Sequence, residues 1–130
     1  LTGVDLTGKD LTGTILTGAD LSNVNLTGTI LAGADLSDIY LLNAIFTNAN
    51  LENAILENTN LIDANLDSAN LTNANLTNTE LRKAVLTNTN LTGAILRGAN
   101  FGYTDLANQN FSGRDLTGVD FKSVNLFNES

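Results

Sequence analysis

Cysteine, histidine, proline, methionine and tryptophan are all absent from this 130-residue chain. Without Cys or His there is no disulfide, no thiol chemistry and none of the common transition-metal sites. A catalytic group would have to come from Ser, Thr or a carboxylate, and each of these needs a cleft to perturb it. Cations are scarce as well: six Lys and Arg stand against fourteen Asp and Glu, for a net charge of −8. That balance favours solubility and argues against direct contact with nucleic acid or an anionic membrane. No apolar run is long enough to span a bilayer and no signal peptide is visible. Length and unbroken repetition give the expectation of a single domain over 1–130, and the start on Leu1 without an initiator Met suggests a processed chain or an excerpt of a longer protein, the excerpt being favoured. No compartment is specified: the cytoplasm is the default, and the periplasm and thylakoid lumen stay open.

What the chain does have is one column of large apolar residues. From Leu1 to Leu126 every fifth position, twenty-six in all, is Leu, except for Phe46, Phe101, Phe111 and Phe121. Two positions before each of these lies a second selected site, Ala eleven times, Thr six times and Val four times. A helix advances about 100° per residue, so a step of five would wind the column around it and bury nothing. A continuous strand alternates faces with period two, so an odd repeat would send successive Leu to opposite sides. The chain must therefore turn once per repeat. Each five-residue unit has a small and a large residue facing in, one residue between them facing out, and a two-residue corner, usually Thr-Gly, Thr-Asn or Ser-Asn, which suits turn dihedrals. Units that turn the same way coil upon one another about 4.8 Å apart, a β-solenoid. Leu21, Leu51, Leu71 and Leu91, with Ala49 and Ala69 at the small site, are core positions on this register.

The motif Ala-Asp/Asn-Leu, as in Ala19-Asp20-Leu21, Ala49-Asn50-Leu51, Ala69-Asn70-Leu71, Ala74-Asn75-Leu76 and, with Phe, Ala99-Asn100-Phe101, resembles the pentapeptide-repeat family, most abundant in cyanobacteria. The resemblance covers the whole chain. It implies an all-β fold, a right-handed parallel β-helix with four sides and about twenty residues per coil. At that coil length Asn50, Asn70, Asn90 and Asn110 share a column and are expected to form an amide ladder. Corner glycines dominate up to residue 38 and corner asparagines from 41 to 91, so the two segments are expected to differ in turn type.

Two stretches break the pattern. Around Asp38-Ile39-Tyr40-Leu41-Leu42 a bulge or kink is expected, and the apolar set Tyr40, Leu42, Ile45 and Ile62 is the candidate interaction surface. After Phe101, polar residues enter the inward column at Gln109, Arg114 and Glu129. In relatives that act on DNA gyrase the Phe-rich last coils form a dimer interface. The resemblance thus makes Phe101, Phe111, Phe121 and Phe127 candidate end or dimer contacts, with a dimer through the C-terminal end.

The functional expectation is a non-enzymatic structural or protein-interaction module with no cofactor, no metal, a protein partner and no membrane contact within this segment. The alternative is a DNA mimic that binds gyrase or another DNA-binding protein. A mimic needs an acidic column, and the column of Asp20, Tyr40, Asn60, Glu80, Asn100 and Asp120 is charged at only three of six levels. Close carboxylates such as Asp35 with Asp38, Asp63 with Asp67 and Glu52 with Glu57 read as solvated surface charge. A partial Thr column at Thr7, Thr27, Thr47 and Thr87 raises ice binding, but Asp67 and Ala107 interrupt it.

Overall fold

In the computed structural model, which describes residues 3–127, the chain coils upward with four corners per turn. Parallel bridges join each side to the one twenty residues later, as in Asp10 to Ile30, Ile30 to Asn50 and Asn50 to Asn70. Each bridge is a single residue, so a side is too short for a continuous strand. With twenty residues per coil and about 4.8 Å between coils, the described tower stands roughly 30 Å tall.

Every corner uses one conformation. The second corner residue has positive φ at each level, 63–72° for the glycines and 55–71° for the others, and the amide after it donates to the carbonyl before the corner, as Ala74 N to Leu71 O at 3.1 Å. That combination belongs to a type II turn. The expected difference between glycine and asparagine segments is therefore absent, because Asn reaches the left-handed region nearly as readily as Gly.

The backbone donors of one repeat can be followed completely. Leu71 N–H donates up to Asn90 O (2.8 Å), Asn73 N–H up to Thr92 O (2.9 Å), Asn75 N–H down to Ala54 O (2.9 Å), and Ala74 N–H across the corner. One donor is left, the first corner amide. Thr72 N–H finds the Oδ1 of Asn70 at 3.1 Å, and the Thr72 hydroxyl donates to the same oxygen at 2.5 Å. All seventeen Asp and Asn residues at this outward position accept the amide two residues on, an Asx turn repeated along the tower. Aspartate or asparagine before leucine is thus a structural cap, the one acceptor that the stacked backbone cannot supply.

Inside, Leu21 through Leu106 and the small residues Val24 through Thr104 are buried, Leu21, Leu51, Leu71, Leu91, Ala49 and Ala69 among them. Buried threonines reach the coil below: Thr79 Oγ1 donates to Leu56 O at 2.7 Å and Thr89 Oγ1 to Leu66 O at 2.8 Å. Among the described residues no buried side-chain polar atom lacks a partner.

The stretch 38–42 carries no bulge. Asp38 takes the usual corner φ of 56°, and Tyr40 bridges both Asp20 and Asn60. Ile39 fits because its neighbours in the column, twenty residues either way, are Ala19 and Thr59. The ladder opens elsewhere: among the described residues no bridge links Val85, Asn90 or Ile95 to the following coil, and pairing resumes at Asn100 with Asp120. There Thr89, Leu91 and Ala94 are succeeded by Gln109, Phe111 and Arg114, three larger side chains in a row, a volume that does not suit the close coil spacing kept elsewhere. The same side chains take over the bonding. Gln109 Nε2 donates to Thr89 O at 3.0 Å, Arg114 Nη1 to Ala94 O at 2.6 Å and Arg114 Nη2 to Leu91 O at 2.5 Å. Gln109 and Arg114 thus donate to the carbonyls of Thr89 and Ala94, which among the described residues receive no amide from the coil above, while Leu91 O also closes its own corner by accepting Ala94 N–H at 3.1 Å. Glu129 lies outside the described residues.

Candidate interaction surface

Among the described residues the tower has no pocket, and no three His, Cys, Asp or Glu side chains are grouped to hold a metal ion. What it offers is outer surface. Tyr40 is 58% exposed and Ile45 lies just above one-third exposure, while Leu42 and Ile62 are half-buried. Asn43 N–H donates to Ile62 O at 3.1 Å, which sets Leu42 and Ile62 on adjacent levels of one corner. Tyr40 and Ile45 flank that corner on either side. The four residues proposed from sequence are therefore brought together. The other outward apolar residues, Ile15, Ile30, Ile55, Val85 and Ile95, are dispersed over the sides with polar residues between them.

The phenylalanines form a second feature, mostly an internal one. Phe101 is fully buried and is a core residue, not the end contact expected from the sequence; the coil that carries Phe121 covers it. Phe101 and Phe121 stack with centroids 5.9 Å apart, and Phe111 reaches from the opposite side to meet both edge-on at 6.3 and 5.6 Å. Phe111 and Phe121 remain partly buried, and Phe127 is 79% exposed.

The asparagine ladder falls elsewhere than expected. Asn70 Nδ2 does reach Asn50 Oδ1 at 3.2 Å, but among the described residues no such rung joins Asn90 to Asn70 or Asn110 to Asn90, and all four Oδ1 atoms cap the amide two residues on. Amide stacking appears instead at a corner, where Asn58 Nδ2 donates to Asp38 Oδ1 at 3.1 Å and Asn78 Nδ2 to Asn58 Oδ1 at 3.3 Å. At the next level that column turns to Gly98, where an added Cβ would collide with Asn78 Oδ1.

Capping also shapes the titration of the acidic surface. The carboxyls of Asp5, Asp10, Asp20, Asp35 and Asp115 are held below the ordinary aspartate range, first by the hydroxyl and then by the amide of the Ser or Thr two residues on. A carboxyl depressed in the folded state stabilises it above the unfolded pKa and stops doing so as pH falls through the folded value. Thermal stability should accordingly be flat above roughly pH 5 and decline below about pH 4. Replacing Asp5, Asp10, Asp20 and Asp35 by Asn keeps the cap without the titration. Melting curves across pH should show that decline reduced and the neutral-pH midpoint little changed.

Four corners per coil, a Leu/Phe column closing the interior and an Asx cap at each outward Asp or Asn define a solenoid built from five-residue units. The model of the family described as pentapeptide repeats matches in eight copies, over residues 1–33, 31–61, 64–102 and 94–128. The chain belongs to the pentapeptide repeat family. Among solved structures, it is similar to a pentapeptide repeat protein of the Arabidopsis thaliana thylakoid lumen, with 34% identity and a TM-score of 0.76 over 78% of this chain and 71% of that one. A pentapeptide repeat protein from Nostoc shares the fold at 24% identity and a TM-score of 0.53, over 89% of this chain and 83% of that one. No curated protein matches the chain. Among the described residues no helix is long and apolar enough to cross a membrane.

Proposed function

We propose that this chain is a non-enzymatic scaffold, a right-handed four-sided β-helix that presents a fixed outer surface to a protein partner. The observation that carries the reading is the gathering of Tyr40, Leu42, Ile45 and Ile62 about one corner of a tower whose coils are joined by their own backbone hydrogen bonds. Membership of the family supports the right hand given to the coil. Solvent-exposed apolar groups on a rigid support keep the ordering cost of association small.

Affinity purification from the native cells, with wild type and a Leu42→Asp/Ile62→Asp variant, tests this. Wild type is expected to retain proteins that the variant loses while both melt alike. Identical sets of retained proteins would overturn the assignment of this surface. Light scattering over a concentration series on the same samples reports whether the C-terminal end pairs two copies. In parallel, inhibition of gyrase supercoiling by the purified chain would replace the scaffold reading with DNA mimicry.

A further inference from the structure

Three of the four corners keep to one vocabulary. Through Thr7-Gly8, Thr12-Gly13 and Thr17-Gly18 and the levels above them, the first corner residue is Thr, Ser or Ala except at Glu52, Glu57, Asp67, Arg97 and Phe127. The second is Gly, Asn, Asp or Ser. The fourth corner departs at every level above Ser22-Asn23, reading Leu42-Asn43, Ile62-Asp63, Arg82-Lys83, Gly102-Tyr103 and Lys122-Ser123. Arg82, Lys83 and Lys122 are half of the six cations in a chain of net charge −8, and all three are exposed, as is Tyr103. Lys122 Nζ lies 5.9 Å from the centroid of the Tyr103 ring.

Folding does not ask for these residues. Lys83 and Tyr103 sit at φ of 59° and 61°, where every other second corner residue described is Gly, Asn, Asp or Ser. Long or aromatic side chains rarely adopt this conformation, and such outliers gather where a protein has use for the side chain. Gly102 beside them leaves room for the Arg82 stem, whose Cγ would lie 3.4 Å from an added Cβ.

We infer that this corner is a docking edge for an extended acidic protein segment. Its aliphatic residues would lie against the half formed by Tyr40, Leu42 and Ile62, and its carboxylates would meet Lys83 and Lys122 around Tyr103, with Arg82, paired to Glu80, beside them. Charge complementarity selects the occupant, because this is the cationic strip of an otherwise acidic surface. From Leu42 to Lys122 the edge climbs four levels, about 19 Å at ~4.8 Å each, a span that roughly six residues of extended chain cover. Continuous phosphate is disfavoured: Glu80 already holds Arg82 at 2.9 Å, and Asp63, Asp105 and Asp120 stand among the cations. The spacing suits a few separate carboxylates. The inference rests on the scaffold reading, but its test does not depend on finding the native partner.

Fluorescence anisotropy with labelled short peptides provides that test. The probes are a peptide aliphatic at one end and rich in Asp and Glu at the other, made in both chain directions, its scrambled and Lys-substituted versions, and a single-stranded DNA oligonucleotide. Wild type should prefer the ordered acidic peptide, and Lys83→Glu/Lys122→Glu or Leu42→Asp should weaken it by about tenfold or more. Arg97→Glu, at another corner, should leave it unchanged. Lys83→Asn and Tyr103→Asn should weaken binding while holding or raising the melting temperature, since Asn accepts the left-handed corner. Equal binding of ordered, scrambled and Lys peptides, undiminished binding by the corner variants, or preference for the oligonucleotide would each overturn the inference. If native proteins depend on Leu42 and Ile62 but the peptides show no preference, the scaffold reading survives and this one does not.

Discussion

Leu71→Ala is expected to destabilise the tower by about 2–5 kcal/mol. Leu71 is fully buried in a column between Leu51 and Leu91, with Ala74 beside it in its own repeat. The bridges of Asn70 to Asn50 and Asn90 pin its side at fixed spacing above and below. A coil held on both faces cannot sink into the cavity left by the lost isobutyl group, so the cost should lie toward the upper part of that range. Leu11→Ala, in the partly open first coil, should cost less. Urea unfolding followed by circular dichroism measures both, and equal midpoints for Leu71→Ala and wild type would refute the inward register. Thr72→Ala provides a contrast, because its hydroxyl shares the Asn70 oxygen with its own amide, and deleting the hydroxyl leaves the cap in place.

Removing four consecutive caps should have an effect of comparable size. In Asn60, Asn65, Asn70 and Asn75 each Oδ1 accepts the amide two residues on, at 2.9–3.1 Å. Converting all four to Ala strips one coil of its Asx turns. At roughly 0.5–1.5 kcal/mol for each hydrogen bond, the sum is about 2–6 kcal/mol, although the orphaned amides lie near enough to solvent to recover part of it. The same four positions changed to Asp should retain most of the stability at neutral pH, because a carboxylate oxygen accepts the same bond. A quadruple Ala variant that unfolds at the wild-type urea concentration would show that these residues are surface decoration.

The leucine column could be read because only a chain turning every five residues keeps it on one side. The twenty-residue coil came with the family resemblance and is observed here in the bridges. The role of Asp and Asn before each Leu escaped because the asparagines were read as a ladder between coils and the close carboxylates as solvated charge, so a bond within the repeat was not sought. Tracing the five amides of a repeat exposes it, since four find backbone acceptors and the fifth does not. Opening of the ladder after Val85 was harder to foresee. It depends on which residues lie twenty apart, Gln109 over Thr89, Phe111 over Leu91 and Arg114 over Ala94, and on whether each pair fits the same volume. Phe101 was misplaced for a related reason: its burial is decided by the coil above, which carries Phe121. The candidate corner was legible only in part, as Tyr40, Leu42, Ile45 and Ile62 announce themselves by hydrophobicity. Lys83 and Tyr103 depart from the Gly, Asn, Asp and Ser of other corners, but that the departure places a long or aromatic side chain at positive φ is seen only in the backbone angles.

Every bridge in the tower joins residues twenty apart, and this constancy governs how such a chain closes. The entropy lost in forming a loop depends on its length, so the seventh coil meets the same closure penalty as the second. Once one coil is in place, each further one adds to a preformed edge, in the manner of a zipper. Relative contact order then falls as the chain lengthens. For this architecture height carries little kinetic penalty, and evolution can extend or shorten the tower in steps of one coil without redesigning what lies beneath.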